Sequence, residues 1–267
     1  MSVLLQESND GVLWLTLNRP ERKNAVSPDL REATIEALTK AEADESVRCV
    51  VLTGAGDAFC TGVDLASSTA AGSVGPDGRP DPEAVRTATR QGMHRLAEAI
   101  WGFGKPIIAA VNGVAAGAGA QLALACDLVL AAESARFIEI FVRRGLVVDS
   151  GGSWLLPKLI GMHLAKELVF FGDSLPAPEA ERWGLVNRVV PDDQLRTTAA
   201  EWAERLAAGA TRAIVESKRL LHDGVRRTFA EALDAEAEAQ GAVSQTGDFV
   251  EGVVAFLEKR TPRFTGR

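Results

Sequence analysis

A chain of 267 residues with 46% hydrophobic and 24% charged residues has the composition of an ordinary globular protein, with enough apolar mass for one large domain or one domain with an appendage. A formal charge of −7 argues against a surface built for phosphate backbones, since nucleic-acid affinity rests on clustered Lys and Arg. No apolar run approaches membrane-spanning length, no basic-then-apolar leader opens the chain, and Cys49, Cys60 and Cys126 form neither a disulfide framework nor a metal motif. The expected setting is therefore a reducing, cytoplasmic compartment, with no membrane, no nucleic acid and no metal.

Residues 3–5 and 12–17 flank Ser8-Asn9-Asp10-Gly11, whose turn chemistry predicts a hairpin ending at Asn18-Arg19-Pro20. Ser27 reads as an N-cap with Pro28 in the first turn, and Leu30, Ala33, Ala37, Leu38 and Ala41 follow at helical spacing. Residues 49–53 read as a buried strand that Gly54-Ala55-Gly56 ends, which makes the order ββαβ. Residues 66–82, rich in Ala, Ser, Gly and Pro, predict a loop. A single helix from about Glu83 to Trp101 is expected next, with Met93, Leu96 and Ile100 on one side.

The centre of the chain is the stretch Lys105 to Asp127, KPIIAAVNGVAAGAGAQLALACD. A β-branched run, Ile107 to Val111, breaks at Asn112-Gly113, and the residues that follow, through Ala120, are all Val, Ala or Gly. Side chains this small suit a place where backbone comes close to something else. Leu122 to Ala125 reads as a buried helix opening just after Gly117-Ala118-Gly119, and the unpaired N–H groups of a helix start can stabilise a developing anion. A packing turn with no chemical role is the alternative. The glycine spacing does not fit a dinucleotide fingerprint.

Residues 128–130 and 136–138 read as two more short strands. After Pro157 the pattern turns helical, near 162–171, 178–183, 192–208, 211–221, 226–243 and 248–258, with strand content stopping near Val190. In the last helix Phe249, Val250, Val253, Val254 and Leu257 form an apolar stripe broad enough to pack on another domain or subunit. His94, His163 and His222 are scattered without ligand spacing and read as surface or packing residues.

Five blocks, taken together and in order, resemble the enoyl-CoA hydratase/isomerase, or crotonase, superfamily: LNRPERKNAV at 17–26, GAGDAFCTGVDL at 54–65, KPIIAAVNGVAAGAGAQLALACDLVLAA at 105–132, GLVVDSGGSWLLPKLIG at 145–161 and EGVVAFLEKRTPRF at 251–264. The resemblance implies an α/β fold, a spiral of ββα units carrying an acyl-CoA site over residues 1–190, followed by a helical region, 191–267, that mediates trimers, often paired into hexamers. It also implies acyl-CoA thioester substrates, coenzyme A entering as part of the substrate, and no metal or redox cofactor. By matching positions, the backbone N–H groups of Val63 and Ala118 are expected as the oxyanion donors. Arg22, Ala25, Asp64 and Leu65 fall where the family contacts the nucleotide end of coenzyme A, and Phe256 and Lys259 where its C-terminal helix helps to hold that ligand. For Arg22 and Lys259 a solvated surface charge is the alternative.

The departures from the family pattern carry the prediction of reaction. Two positions where family hydratases place Glu hold Gln121 and Phe141, and neither side chain is a carboxylate acid or base. Glu139 lies two residues from the second of them, with either orientation open. Asp149 stands where hydratases usually have Gly and where some isomerases of the superfamily carry an acidic residue, among them the 1,2-epoxyphenylacetyl-CoA isomerases, whose blocks the surrounding sequence resembles most. Val147, Val148 and Phe141 are expected to wall it off from water; a turn or N-cap aspartate is the alternative. The far wall of the acyl pocket is expected from residues 66–82 and the segment near Met93. The chain is therefore expected to be an acyl-CoA isomerase working through one carboxylate, with an enoyl-CoA hydratase and a non-catalytic acyl-CoA binder as alternatives.

Overall fold

The computed structural model describes residues 2–64 and 79–267. The chain opens with the predicted hairpin: β1 (Leu4–Asn9) runs antiparallel to β2 (Val12–Leu17), with Asn9 opposite Val12. Asp10 and Gly11 at its tip both have positive φ, the geometry whose twist matches the flanking strands. β1 buries only Leu4, whereas β2 is buried along almost its whole length.

From there the chain repeats one operation. β3 (Cys49–Gly54) is followed after a short corner by β4 (Ala58–Cys60), β5 (Ile107–Val111) by β6 (Val114–Ala116), and β7 (Leu128–Ala132) by β8 (Arg136–Ile138). The first strand of each pair enters a six-stranded sheet, in which β2, β3, β5 and β7 are successive parallel neighbours, and the second enters a four-stranded sheet. β9 (Ser174–Pro176) closes the small sheet beside β8, and β10 (Arg188–Val190) closes the large one beside β7. Helices separate the pairs, so the core is a spiral of ββα units. β3 and β5 read as unbroken apolar runs because both faces of a central parallel strand are covered.

Two asparagines hold the corners where the chain passes between sheets. Asn24, fully buried, donates from Nδ2 to the carbonyls of Ala55 and Ala58, and its Oδ1 accepts from Arg19 N–H. Asn112 accepts from Gly54 N–H and donates to Gly56 O and Ala58 O. Each satisfies backbone groups at the corner with side-chain hydrogen bonds.

α1 (Pro28–Ala43) starts at the predicted cap, where Ser27 Oγ accepts from Leu30 N–H at 3.3 Å. The single helix expected over 83–101 is two: α2 (Pro82–Gln91) and α3 (Met93–Trp101), broken at Gly92, whose φ of −97° and ψ of −112° no helix accommodates. α4 (Ala118–Leu124) follows β6, as expected. α5 (Gly152–Phe171) begins ahead of Pro157, earlier than predicted, and is interrupted at Gly161, so only its second half matches the expected segment.

α6 (Ala177–Arg182) and α7 (Leu195–Ala207) follow, and α7 buries Leu195, Ala199, Ala203 and Ala207 in the main core. Arg48, just ahead of β3, reaches Thr211 Oγ1 at 2.6 Å and the carbonyls of Gly209 and Phe264, tying the C-terminal region to the sheet. α8 (Thr211–Gly224), α9 (Phe229–Val243) and α10 (Gly247–Glu258) complete the chain. The predicted stripe on α10 is exposed, Val250 and Leu257 most of all. Cys49, Cys60 and Cys126 are free and buried, and burial pushes the Cys49 and Cys60 thiols up to about 12.

Candidate active site

Two backbone segments meet at the start of α4. Val63 forms an isolated parallel bridge with Val26: Val26 N–H donates to Gly62 O at 2.7 Å, and Asp64 N–H donates to Val26 O at 3.1 Å. Because groups alternate along an extended chain, that bridge turns the Val63 N–H to the opposite side. Gly62 lies against the other segment; a Cβ built on it would stand 3.2 Å from Ala118 N, and its φ of +88° already favours glycine.

Gly117 gives α4 its entry. Its φ of 52° and ψ of −128° are open only to glycine, and a side chain there would meet Ile140 at 3.1 Å. Ala118 is thus the first helical residue, with no intrahelical partner for its N–H. Neither the Ala118 nor the Val63 N–H is bonded to another described residue. α4 is too short for its dipole to dominate at that end.

Asp149 occupies the turn that leads into α5. Gly152 N–H donates to Asp149 O at 3.0 Å, and Ser150 takes the left-handed region with φ 53°. The Asp149 side chain is held at one oxygen: Oδ1 is 2.6 Å from Ser150 N and 2.6 Å from Nε2 of His94 on α3. Oδ2 has no hydrogen bond to a described residue. Asp149 and His94 both line a cavity of about 820 Å³ that Trp101, Trp154, Lys218 and His222 also line. Trp101 stacks on His222 at 3.9 Å and meets Trp154 edge-on. Lys218 is paired with Asp127 at 2.7 Å.

The apolar wall expected around Asp149 is not what surrounds it. Val147 is 83% exposed, Val148 is half-buried, and the Asp149 side chain keeps 28% exposure, because the segment leaves the surface only at Ser150. Phe141 is buried elsewhere, in a 3-10 turn (Ile140–Arg144) whose ring packs toward Gly117.

The carboxylate that is desolvated is Glu139. It is 3% exposed, and burial pushes its carboxyl up to about 7 against the lowering effect of a 2.7 Å hydrogen bond from Gln121 Nε2. Gln121 is fully buried on α4 and also packs under the Asp149 turn, where a Cβ on Gly152 would stand 2.7 Å from its amide. Gln121 Oε1, Glu139 Oε2 and Ser150 Oγ are buried without a hydrogen-bond partner. Met93, expected near the pocket's far wall, is 5% exposed within the core cluster.

Of the residues expected at the nucleotide end of coenzyme A, Arg22 is exposed in a 3-10 turn (Pro20–Arg22) and Ala25 stands nearby. Arg19 links them to Asp64, donating to Ala25 O and pairing with Asp64 Oδ2 at 2.8 Å. Leu65 lies outside the described residues, as do residues 66–78 of the expected loop. Phe256 is 82% exposed and Lys259 is exposed at the end of α10, so neither is held against the others within one chain.

The sequence reading missed His94 and Arg19. His94 carries no local signal, because its partner is 55 residues away; Arg19 lies inside a recognised block, where it marks the end of the predicted hairpin. Among the described residues, no group of three or more His, Cys, Asp or Glu is arranged to hold a metal ion, and no helix is long and apolar enough to cross a membrane.

Comparison with known proteins matches the family profile described as enoyl-CoA hydratase/isomerase over residues 7–267. The chain is 40% identical to the 1,2-epoxyphenylacetyl-CoA isomerase of Escherichia coli (strain K12) over 267 residues, covering 100% of both chains. It is 35% identical to the 2,3-dehydroadipyl-CoA hydratase of the same organism, again over 100% of both. Among solved structures it resembles an enoyl-CoA hydratase from Bacillus anthracis, with a TM-score of 0.91 and 35% identity over 99% of this chain and 100% of that one.

Proposed function

Because this chain belongs to the enoyl-CoA hydratase/isomerase family, we propose that it is an acyl-CoA isomerase in which Asp149 moves a proton between two carbons while the Val63 and Ala118 N–H groups hold the thioester oxygen. The spiral fold and an acyl-CoA thioester chemistry come with the family; the choice of isomerisation rests on the site. One observation carries it: Asp149 presents an unengaged Oδ2 at a cavity, whereas Gln121 and Glu139 are buried against each other. Among the described residues, the other carboxylates lining that cavity are tied to arginines, Glu98 to Arg90 and Asp223 to Arg219, Arg226 and Arg227.

In a double-bond shift the C–H bond at the α carbon breaks and its proton passes to Asp149. The electron pair spreads onto the thioester oxygen, and the proton returns at the γ carbon as the double bond moves. One base suffices, and no metal or redox cofactor enters. Adding water also requires a group to activate the nucleophile. The amide of Gln121 does not ionise, and Phe141 cannot hydrogen-bond a water. Two N–H donors aimed at the oxygen match the charge that develops there, and each such donor is typically worth about 3 to 4 kcal/mol of activation free energy.

In this reading Arg22, Ala25, Asp64 and Leu65 form the nucleotide end of the coenzyme A site. The exposure of Phe256, Lys259 and the α10 stripe supports a homotrimer or hexamer in which this helix is covered. Three buried, unpaired cysteines support a reducing, cytoplasmic location.

NMR product analysis over a panel of 2-enoyl, 3-enoyl and ring-containing CoA thioesters tests the reading. The expected result is a moved double bond or a rearranged ring, with little hydration. Efficient hydration of crotonyl-CoA would overturn isomerisation in favour of the hydratase, and the absence of both turnover and α-proton exchange with deuterated water would leave an acyl-CoA binder.

A further inference from the structure

We propose that His94 is a positioning residue for Asp149, selecting Oδ2 as the oxygen that carries the proton; this deepens, and rests on, the assignment of Asp149 as the base. The contact joins separate elements, α3 and the turn before α5, at 2.6 Å. α3 is a firm platform, since Met93, Leu96 and Ile100 bury its other face in the core. A free aspartate side chain turns about two bonds and presents either oxygen. Here Oδ1 accepts from His94 on one element and from Ser150 N–H on another, which fixes the carboxylate plane and leaves Oδ2 as the oxygen without a described donor. Nε2 is the ring nitrogen that meets Oδ1, and Nδ1 has no hydrogen bond among the described residues.

Among the described residues, no fixed cation takes this place. Of the basic groups lining the cavity, Arg90 is paired with Glu98, Lys218 with Asp127, and Arg219 and Arg226 with Asp223. His222 stacks on Trp101 and lies nearest Asp127. An imidazole holds the carboxylate by a directed hydrogen bond, where an Arg or Lys would set a permanent positive charge beside it.

The test compares His94→Leu, which cannot donate, with His94→Gln, which donates at similar reach but cannot titrate. Leu is expected to lower kcat by roughly 10- to 100-fold with KM unchanged, the usual cost of losing a group that orients a reacting one. Gln is expected to recover kcat to within about threefold of wild type. In an Asp149→Asn background, His94→Leu should add no further loss, because the two act as a unit. Wild-type kcat in the Leu variant, or a Gln variant as slow as Leu, would overturn the inference. Should the Leu variant not fold, Gln against the shorter Asn decides: Asn slower supports positioning by donation, and equal rates overturn it. Asp149→Asn alone separates the two readings. If it turns over normally, the base assignment has failed; if it is inactive while His94→Leu is unimpaired, only this inference has.

Discussion

Gln121 and Glu139 meet inside the core, Nε2 to Oε1 at 2.7 Å, and the second oxygen of each, Gln121 Oε1 and Glu139 Oε2, is left buried without a partner. Glu139 is 3% exposed, whereas the Asp149 side chain keeps 28% exposure at the lining of a cavity.

Asp149→Asn is nearly isosteric and keeps an acceptor toward His94 and Ser150. Turnover is expected to fall by roughly 100-fold or more, as for loss of a positioned general base, with coenzyme A affinity retained. Steady-state kinetics alongside calorimetric titration with coenzyme A check both halves.

Ala118→Pro removes an N–H at the first helical position, where proline is compatible with a helix. The fold should therefore persist while kcat drops by roughly 10²- to 10³-fold, the typical cost of one lost oxyanion donor. Ala118→Ser keeps the donor and should be mild. A folded proline variant with unchanged kcat would remove Ala118 from the mechanism.

Glu139 makes stability depend on pH with a definite sign. Its carboxyl is raised from 4.5 to about 7 in the folded chain, so the native state favours the protonated form. Its contribution is complete below pH 4.5 and is lost as pH rises through about 7, a difference on the order of 3 kcal/mol. Glu139→Gln, which cannot ionise, should raise urea-unfolding stability relative to wild type at pH 8 and change it little at pH 4.

Gln121→Glu combined with Phe141→Glu should raise hydration of a 2-enoyl-CoA relative to isomerisation of a 3-enoyl-CoA. Both sites are buried and Glu139 is close to the first, so part of the new charge will be suppressed. The ratio of the two rates, measured on one preparation, is the informative quantity; no change in it would separate these positions from water activation.

Free coenzyme A should raise the melting temperature, since a ligand of the folded state stabilises it by about 2.7 kcal/mol at a hundred times its dissociation constant. Arg19→Ala should weaken that shift by releasing Ala25 and Asp64 from one another. An Arg19→Ala variant with a full coenzyme A shift would separate this link from the nucleotide site.

Much of the fold was legible because its long elements carry local periodicity. Leu30, Ala37, Leu38 and Ala41 mark the buried face of α1, and the small-residue run through Gly117 did announce a close approach, the one Gly62 makes to Ala118. β4, β6 and β9 fall outside the predicted strands, although β8, equally short, is among them. The break at Gly92 and the early start of α5 were missed because tertiary packing overrode the signals of single residues. At the site, residue types were readable and partnerships were not. Nothing near His94 encodes Asp149, and nothing near Val147 says that the chain is still at the surface there.

The spiral has a consequence for the chain as it is made. β7 is complete at Ala132, yet β10, which pairs with it through Arg188 to Val190, arrives 58 residues later. Through that interval of synthesis the sheet ends on Leu128–Ala132, an apolar edge whose unpaired N–H and C=O groups match those of any neighbouring strand. The short β10 thus acts as a seal, and truncations that remove it should send the nascent protein toward edge-to-edge aggregation before any question of catalysis arises.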